Sequence, residues 1–169
     1  YRTDYDENYD KDTVMLEVKD VYWENSLKGV SLDLHKGEIL GIGGLTDCGM
    51  HDLCKVIYGL KTPDSGSVRL PQIGREIRNS TDAAENGMGY VPKDRELEGL
   101  MMAASIKDNI TLMSMDKVKK AGFITPGATK KLADEQVDML SIKIGGLELP
   151  VSSLSGGNKQ KEAIAKSTA

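Results

Sequence analysis

A chain of 169 residues with 39% hydrophobic and 28% charged residues has the balance of an ordinary folded domain, with room for one core and a small appendage. Its net charge of −4 supplies no basic field for nucleic acid, and the longest nearly apolar run, residues 39–45, is far too short to span a bilayer. Two cysteines, Cys48 and Cys54, make neither a disulfide framework nor a paired zinc spacing, and two histidines, His35 and His51, argue against a histidine-based metal site or triad, so a reducing, cytoplasmic setting is expected.

Residues 1–12 are acidic and polar and read as a linker or disordered lead-in, with the folded domain expected over 13–169. The stretch "VMLEVKDVYW" predicts a strand with Leu16 and Val18 on one face, and "VSLDLH" alternates with Val30, Leu32 and Leu34 inward. "EILGIGG" (38–44) predicts a short buried strand running into a glycine loop, and after that loop Leu53, Val56, Ile57 and Leu60 share one helical face. "KTPDSGSVRL" predicts a turn and a strand. Ser80 or Thr81 is expected to cap a short helix stopped at Gly87, "MGYV" (88–91) to form a strand, and "PKDRELEGL" a polar loop. From Ser105 the chain turns helical. The best helix starts at Thr125, with Pro126 in its first position and Leu132, Ala133, Val137 and Leu140 as its apolar face.

Two motifs carry chemistry. "GGLTDCGMHDL" sits between a predicted strand and a predicted helix, the context of a phosphate-binding loop G-x-x-x-x-G-K-[ST]. Gly44 and Gly49 hold the glycine positions, but Met50 and His51 follow where Lys and Ser or Thr belong. "LSGGNKQK" (154–161) offers a serine, two glycines and a helix start, which together present a hydroxyl, free N–H groups and a positive dipole end to an anion.

In this order the motifs resemble the nucleotide-binding domain of ATP-binding-cassette (ABC) transporters over nearly the whole chain. Leu154, Ser155, Gly156, Gly157, Asn158, Lys159 and Gln160 stand at that family's signature, with Asn158 where Gln is commoner. Gly44, Leu45, Thr46, Asp47, Cys48, Gly49, Met50, His51 and Asp52 stand at its phosphate loop, and Lys93 at its Q-loop glutamine. "KGEILGIGGL", "YVPKDRELEGL" and "LSGGNKQK" together look like the second, degenerate cassette of the tandem ATPase subunits of bacterial simple-sugar importers.

The resemblance implies an α/β fold of the P-loop NTPase type, with an antiparallel β portion, a helical subdomain at about 96–157, and an end before the strand carrying the family's Asp-Glu motif. It implies ATP and Mg²⁺ in the full assembly, a first cassette of the same subunit and transmembrane permease subunits as partners, no nucleic acid, and a place on the cytoplasmic face of the membrane. No catalytic residue and no metal ligand is expected within this segment, which by itself should not hydrolyse ATP. Met50 removes a charge-assisted phosphate contact worth about 1.5–3 kcal/mol, Asp47 adds a negative charge and His51 lacks the metal-holding hydroxyl, so the loop is expected to bind Mg-ATP weakly or not at all. Two alternatives stand beside this reading: a scaffold or regulatory module that kept the cassette fold, and a cassette ATPase of DNA repair or translation. Tyr22 or Trp23 is a candidate to stack on adenine, though a half-buried strand aromatic is the simpler role, and Met101 and Met102 either face a membrane partner or make local contacts.

Overall fold

The computed structural model describes residues 9–45, 47–120 and 123–169. They form two units, one ending at Met88 and the other starting at Gly89.

The first unit is built on a four-stranded antiparallel sheet in the order β2-β1-β3-β4, comprising β1 (Asp10–Trp23), β2 (Leu27–Lys36), β3 (Ser65–Leu70) and β4 (Arg75–Glu76). Strand β1 reaches back into the expected lead-in: Thr13 Oγ1 donates to Asp10 Oδ2 at 2.7 Å, and the strand begins at Asp10 rather than after residue 12. The rest of the lead-in, residues 1–8, lies outside the described residues. Leu16 and Val18 face inward as their alternation requires, and so does Val21. Its odd spacing is made possible by a register shift between Val18 and Val21, where Asp20 takes a positive φ of 47°. In β2, Val30, Leu32 and Leu34 are half-buried and alternate with exposed Ser31 and Asp33, the pattern of a one-sided sheet.

Helix α1 (Met50–Ile57) buries Leu53 and Val56. Leu60, expected on the same face, is exposed and lies outside the helix, because Gly59 at φ 75° ends it. Helix α2 (Ser80–Glu85) is capped by Asn79, not by Ser80 or Thr81: Asn79 Oδ1 accepts from the Asp82 N–H at 2.9 Å. Gly87, at φ 79°, follows the helix as expected.

Two strands read from the sequence are absent. Residues 38–44 form no strand, and Ile39 is 79% exposed and Ile42 41% exposed. A buried strand needs a hydrogen-bonding neighbour for its backbone; no described strand pairs with this run, and Gly41, Gly43 and Gly44 weaken it further. Residues 88–91 are likewise not a strand. The backbone of Tyr90 instead accepts a hydrogen bond from Ser167 Oγ at 3.2 Å, and Pro92 can donate nothing to a ladder.

The second unit is mainly helical, with α3 (Ile106–Leu112), α4 (Met115–Val118), α5 (Pro126–Met139), α6 (Gly156–Thr168) and a small hairpin of β5 (Lys119–Lys120) and β6 (Phe123–Ile124). Helix α5 starts as read: the Thr125 side chain accepts from Ala128 N–H, Pro126 opens the first turn, Ala133 is buried, and Leu132, Val137 and Leu140 pack on the core. That core joins Leu100, Ile106, Ile110, Ile142, Val151, Leu154, Ala163 and Ala165. Met102 packs against it, whereas Met101 is exposed. Asn109, fully buried, stitches the entry to α3: its Oδ1 accepts from Met101 N–H at 2.9 Å, and its Nδ2 donates to the carbonyls of Met101 and Ser105. Every polar atom of that amide is satisfied, which is the condition for burying it. Ser105 caps α3 by accepting from Asp108 N–H at 3.0 Å. Ser105→Ala should therefore cost about 1 kcal/mol, read as a lower urea midpoint with unchanged slope.

Candidate functional site: a phosphate loop without cations and an open signature turn

The loop from Gly43 to Asp52 leads into α1, whose N-terminal N–H groups have no acceptors within the helix. Gly49 is the residue before the helix, at φ 85°, and a Cβ there would lie 2.7 Å from the Ser26 carbonyl oxygen. This glycine is required by the fold itself. Asp47 also takes a positive φ, 66°, a conformation glycine adopts freely and aspartate tolerates. Cys48 folds back on Gly44, with its N–H donating to the Leu45 carbonyl at 3.1 Å. Leu45 points out, 86% exposed, and Thr46 lies outside the described residues.

The charges of this loop have the wrong sign for a phosphate. Asp47 is exposed, and Asp52 places a second carboxylate in the first turn of α1, where it already complements the helix dipole. Met50 is half-buried and apolar, and His51 is exposed. The strand–loop–helix frame of a phosphate loop is thus reduced to loop and helix, with no lysine and no hydroxyl at the positions that would grip an anion or its metal.

Lys93 is exposed and stands just before Asp94, whose side chain accepts from Leu97 N–H and caps a π turn over Arg95–Gly99. The sequence reads this segment as a plain polar loop; the structure gives it a job. Glu96 pairs with Lys159 at 2.8 Å, Arg95 Nη2 donates to the Gly156 carbonyl at 3.4 Å, and Lys166 Nζ donates to the Gly99 carbonyl at 2.8 Å. Three bonds therefore tie the Lys93 segment to α6.

At the signature, Leu154 is buried and anchors the turn, while Ser155, Gly156 and Gly157 are exposed. Ser155 precedes α6 with extended backbone but makes no side-chain bond to the first turn of its helix. Neither glycine has a positive φ, a Cβ on Gly157 would meet nothing within 4 Å, and one on Gly156 would meet only Arg95 Nη2 at 3.9 Å. Among the described residues nothing demands glycine at these two positions. What their missing side chains do is leave the first N–H groups of α6 bare to an approaching group. Lys159 is engaged by Glu96, and Gln160 is exposed.

Tyr22 and Trp23 close β1 in the first unit. Trp23 is half-buried at the end of β1 and carries the Lys61 ammonium 5.2 Å from its ring centre, and the Tyr22 ring lies over Gly29. Trp23 is thus half-buried, whereas Tyr22 is 47% exposed. Among the described residues no group of three or more His, Cys, Asp or Glu side chains is placed to hold a metal ion, and no helix is long and apolar enough to cross a membrane.

One residue escaped the sequence reading altogether. Glu162 lies on the inward face of α6, fully buried, with neither carboxylate oxygen hydrogen-bonded, and burial pushes its carboxyl up to about 7 against a smaller pull from Lys166. The signal was available: Glu162, Ala165 and Ala169 fall on one helical stripe, and all three are buried.

The fold is that of an ATP-binding cassette, and the match to the ABC transporter family over residues 27–169 shows that this chain belongs to that family. Dimeric ATP-binding-cassette structures of MJ0796 share the fold with TM-scores of 0.75 and 0.74 at 22% identity, covering 90% of this chain and 68% of theirs. Among curated relatives, the ribose import ATP-binding protein RbsA 2 of Rubrobacter xylanophilus is 40% identical over 156 residues. RbsA 1 of Mesorhizobium japonicum is 36% identical over 153. These alignments take in 92% and 89% of this chain, and the chain spans about 30% of the length of each relative.

Proposed function

We propose that this chain is the degenerate second cassette of the ATP-binding subunit of a bacterial sugar importer, and that it lends its signature turn to an ATP held by the first cassette. The observation that carries the reading is the contrast between the two motifs. Ser155, Gly156 and Gly157 are exposed, with open space where side chains would be, whereas the chain's own phosphate loop offers two carboxylates and no cation. A triphosphate fits the first and not the second. The relatives named for ribose import support a simple sugar as cargo. Partners on this reading are the first cassette and a membrane permease, which places the subunit at the cytoplasmic face. Residues at about 96–157 form the helical subdomain. Mg²⁺ is held by the first cassette, since His51 supplies no hydroxyl to it.

Equilibrium binding of Mg-ATP to the full-length subunit tests this. One tight site per polypeptide is expected, with a second at millimolar strength or weaker. Two sites of equal micromolar affinity would overturn the reading.

A further inference from the structure

The signature serine of this chain does not cap its own helix, and a neighbouring amide explains why. Asn158 bridges two groups: its Oδ1 accepts from the Lys143 backbone N–H at 3.1 Å, and its Nδ2 donates to Ser155 Oγ at 3.1 Å. A backbone N–H can only donate, so the contact with Lys143 fixes which end of the amide is oxygen and turns the NH₂ end toward Ser155. The loop that carries Lys143 is itself fastened to α6, because Lys161 Nζ donates to the Ser141 carbonyl at 2.8 Å.

The consequence lies in the hydroxyl. Ser155 Oγ has one proton and two lone pairs. With a lone pair occupied by Asn158, the oxygen is drawn away from the N–H groups of its own first turn, to which it makes no bond. Its proton remains free, on an exposed residue, to be donated outward. The N–H groups of Gly156, Gly157 and Asn158 also receive no side-chain cap, unlike the first turns of α2, α3 and α5, which Asn79, Ser105 and Thr125 cap.

We propose that Asn158 is a positioning residue: it holds Ser155 off its helix so that the hydroxyl proton and the bare first-turn N–H groups converge on a phosphate oxygen. This rests on the reading of the signature as the completing half of a partner's ATP site. Gln, one methylene longer, would bring its amide to a different place, so the bridge belongs to the Asn form of the motif.

A double-mutant cycle in the full-length subunit with its permease tests it, with ATP turnover and KM as readouts and melting temperature as a control. Asn158→Ala should lower kcat about tenfold with little change in KM. In a Ser155→Ala background the same substitution should change nothing, because its effect passes through the hydroxyl. Asn158→Asp keeps the acceptor for Lys143 and the side-chain size but cannot donate to Ser155. It should lose at least as much turnover as Asn158→Ala while melting like the parent, so it carries the test if Asn158→Ala does not fold. Equal losses from Asn158→Ala in the parent and in Ser155→Ala would overturn the positioning role, and so would unchanged turnover in Asn158→Ala or in Asn158→Asp. A silent Ser155→Ala would instead overturn the underlying signature reading.

Discussion

Ser155→Arg in the full-length subunit is expected to cut ATP turnover by about a hundredfold or more, while Met50→Ala leaves it within about twofold. The first number follows from the loss of one preorganised donor at an anionic transition state, typically about 10²–10³ in rate. The new side chain adds to that loss, because its bulk lies over the open ground beside Gly156 and Gly157, where a Cβ added to either glycine would meet no heavy atom outside its own helix closer than 3.9 Å. The second number follows from what Met50 does not do. It is half-buried in the first turn of α1, carries no charge, and sits between the carboxylates of Asp47 and Asp52. Phosphate release at saturating ATP, with melting curves to check folding, separates the two. The reverse ranking would mean that nucleotide is gripped by this chain's own loop and that the signature is idle.

The contrast between the two motifs is legible in the sequence because it is written in residue type: a lysine is absent at 50 and a serine–glycine–glycine is present at 155–157. Periodicity was equally readable where one chain segment satisfies itself. Helix α5, with its Thr125 cap and its stripe at 132, 133, 137 and 140, needs only a core beside it, and the structure supplies one. Strands fail differently. Residues 38–44 and 88–91 have the apolar content of buried strands, yet a strand is made by its neighbour, and no described strand pairs with either run. What stayed hidden were contacts between segments far apart in sequence: Glu96 with Lys159, Lys143 with Asn158, Lys166 with Gly99. Single-residue patterns carry no information on such pairs. Sixty-three positions separate Glu96 from Lys159, and only the fold brings them to 2.8 Å.

Glu162→Val is expected to stabilise the chain at pH 8 by about 2–3 kcal/mol and to make little difference at pH 5. Burial raises the folded-state carboxyl from an ordinary 4.5 to about 7. The folded protein therefore holds a proton that the unfolded chain releases between those values. Stability from this group is greatest below the unfolded pKa and falls as pH rises toward 7, after which a charge must be carried in a site with no hydrogen-bond donor to either oxygen. Valine removes the ionisation and keeps an apolar stripe with Ala165 and Ala169. Glu162→Gln removes the ionisation but leaves an amide unsatisfied, so it should gain less. Some of the gain from valine is returned at Lys166, whose ammonium is held down by burial and helped by the nearby carboxylate, and which donates to the Gly99 carbonyl at 2.8 Å. Urea midpoints of parent and variant between pH 5 and 8 give the answer directly: the two curves should meet at the acid end and diverge through neutrality. Parallel curves would mean that Glu162 finds a donor in solution and is not buried alone. A cost of this size, one helical turn and a half beyond the signature glycines, is also why the bonds of Glu96 and Arg95 to α6, and of Lys166 on α6 to the Gly99 carbonyl, matter. They hold in place a helix whose inner face is burdened by its own carboxylate.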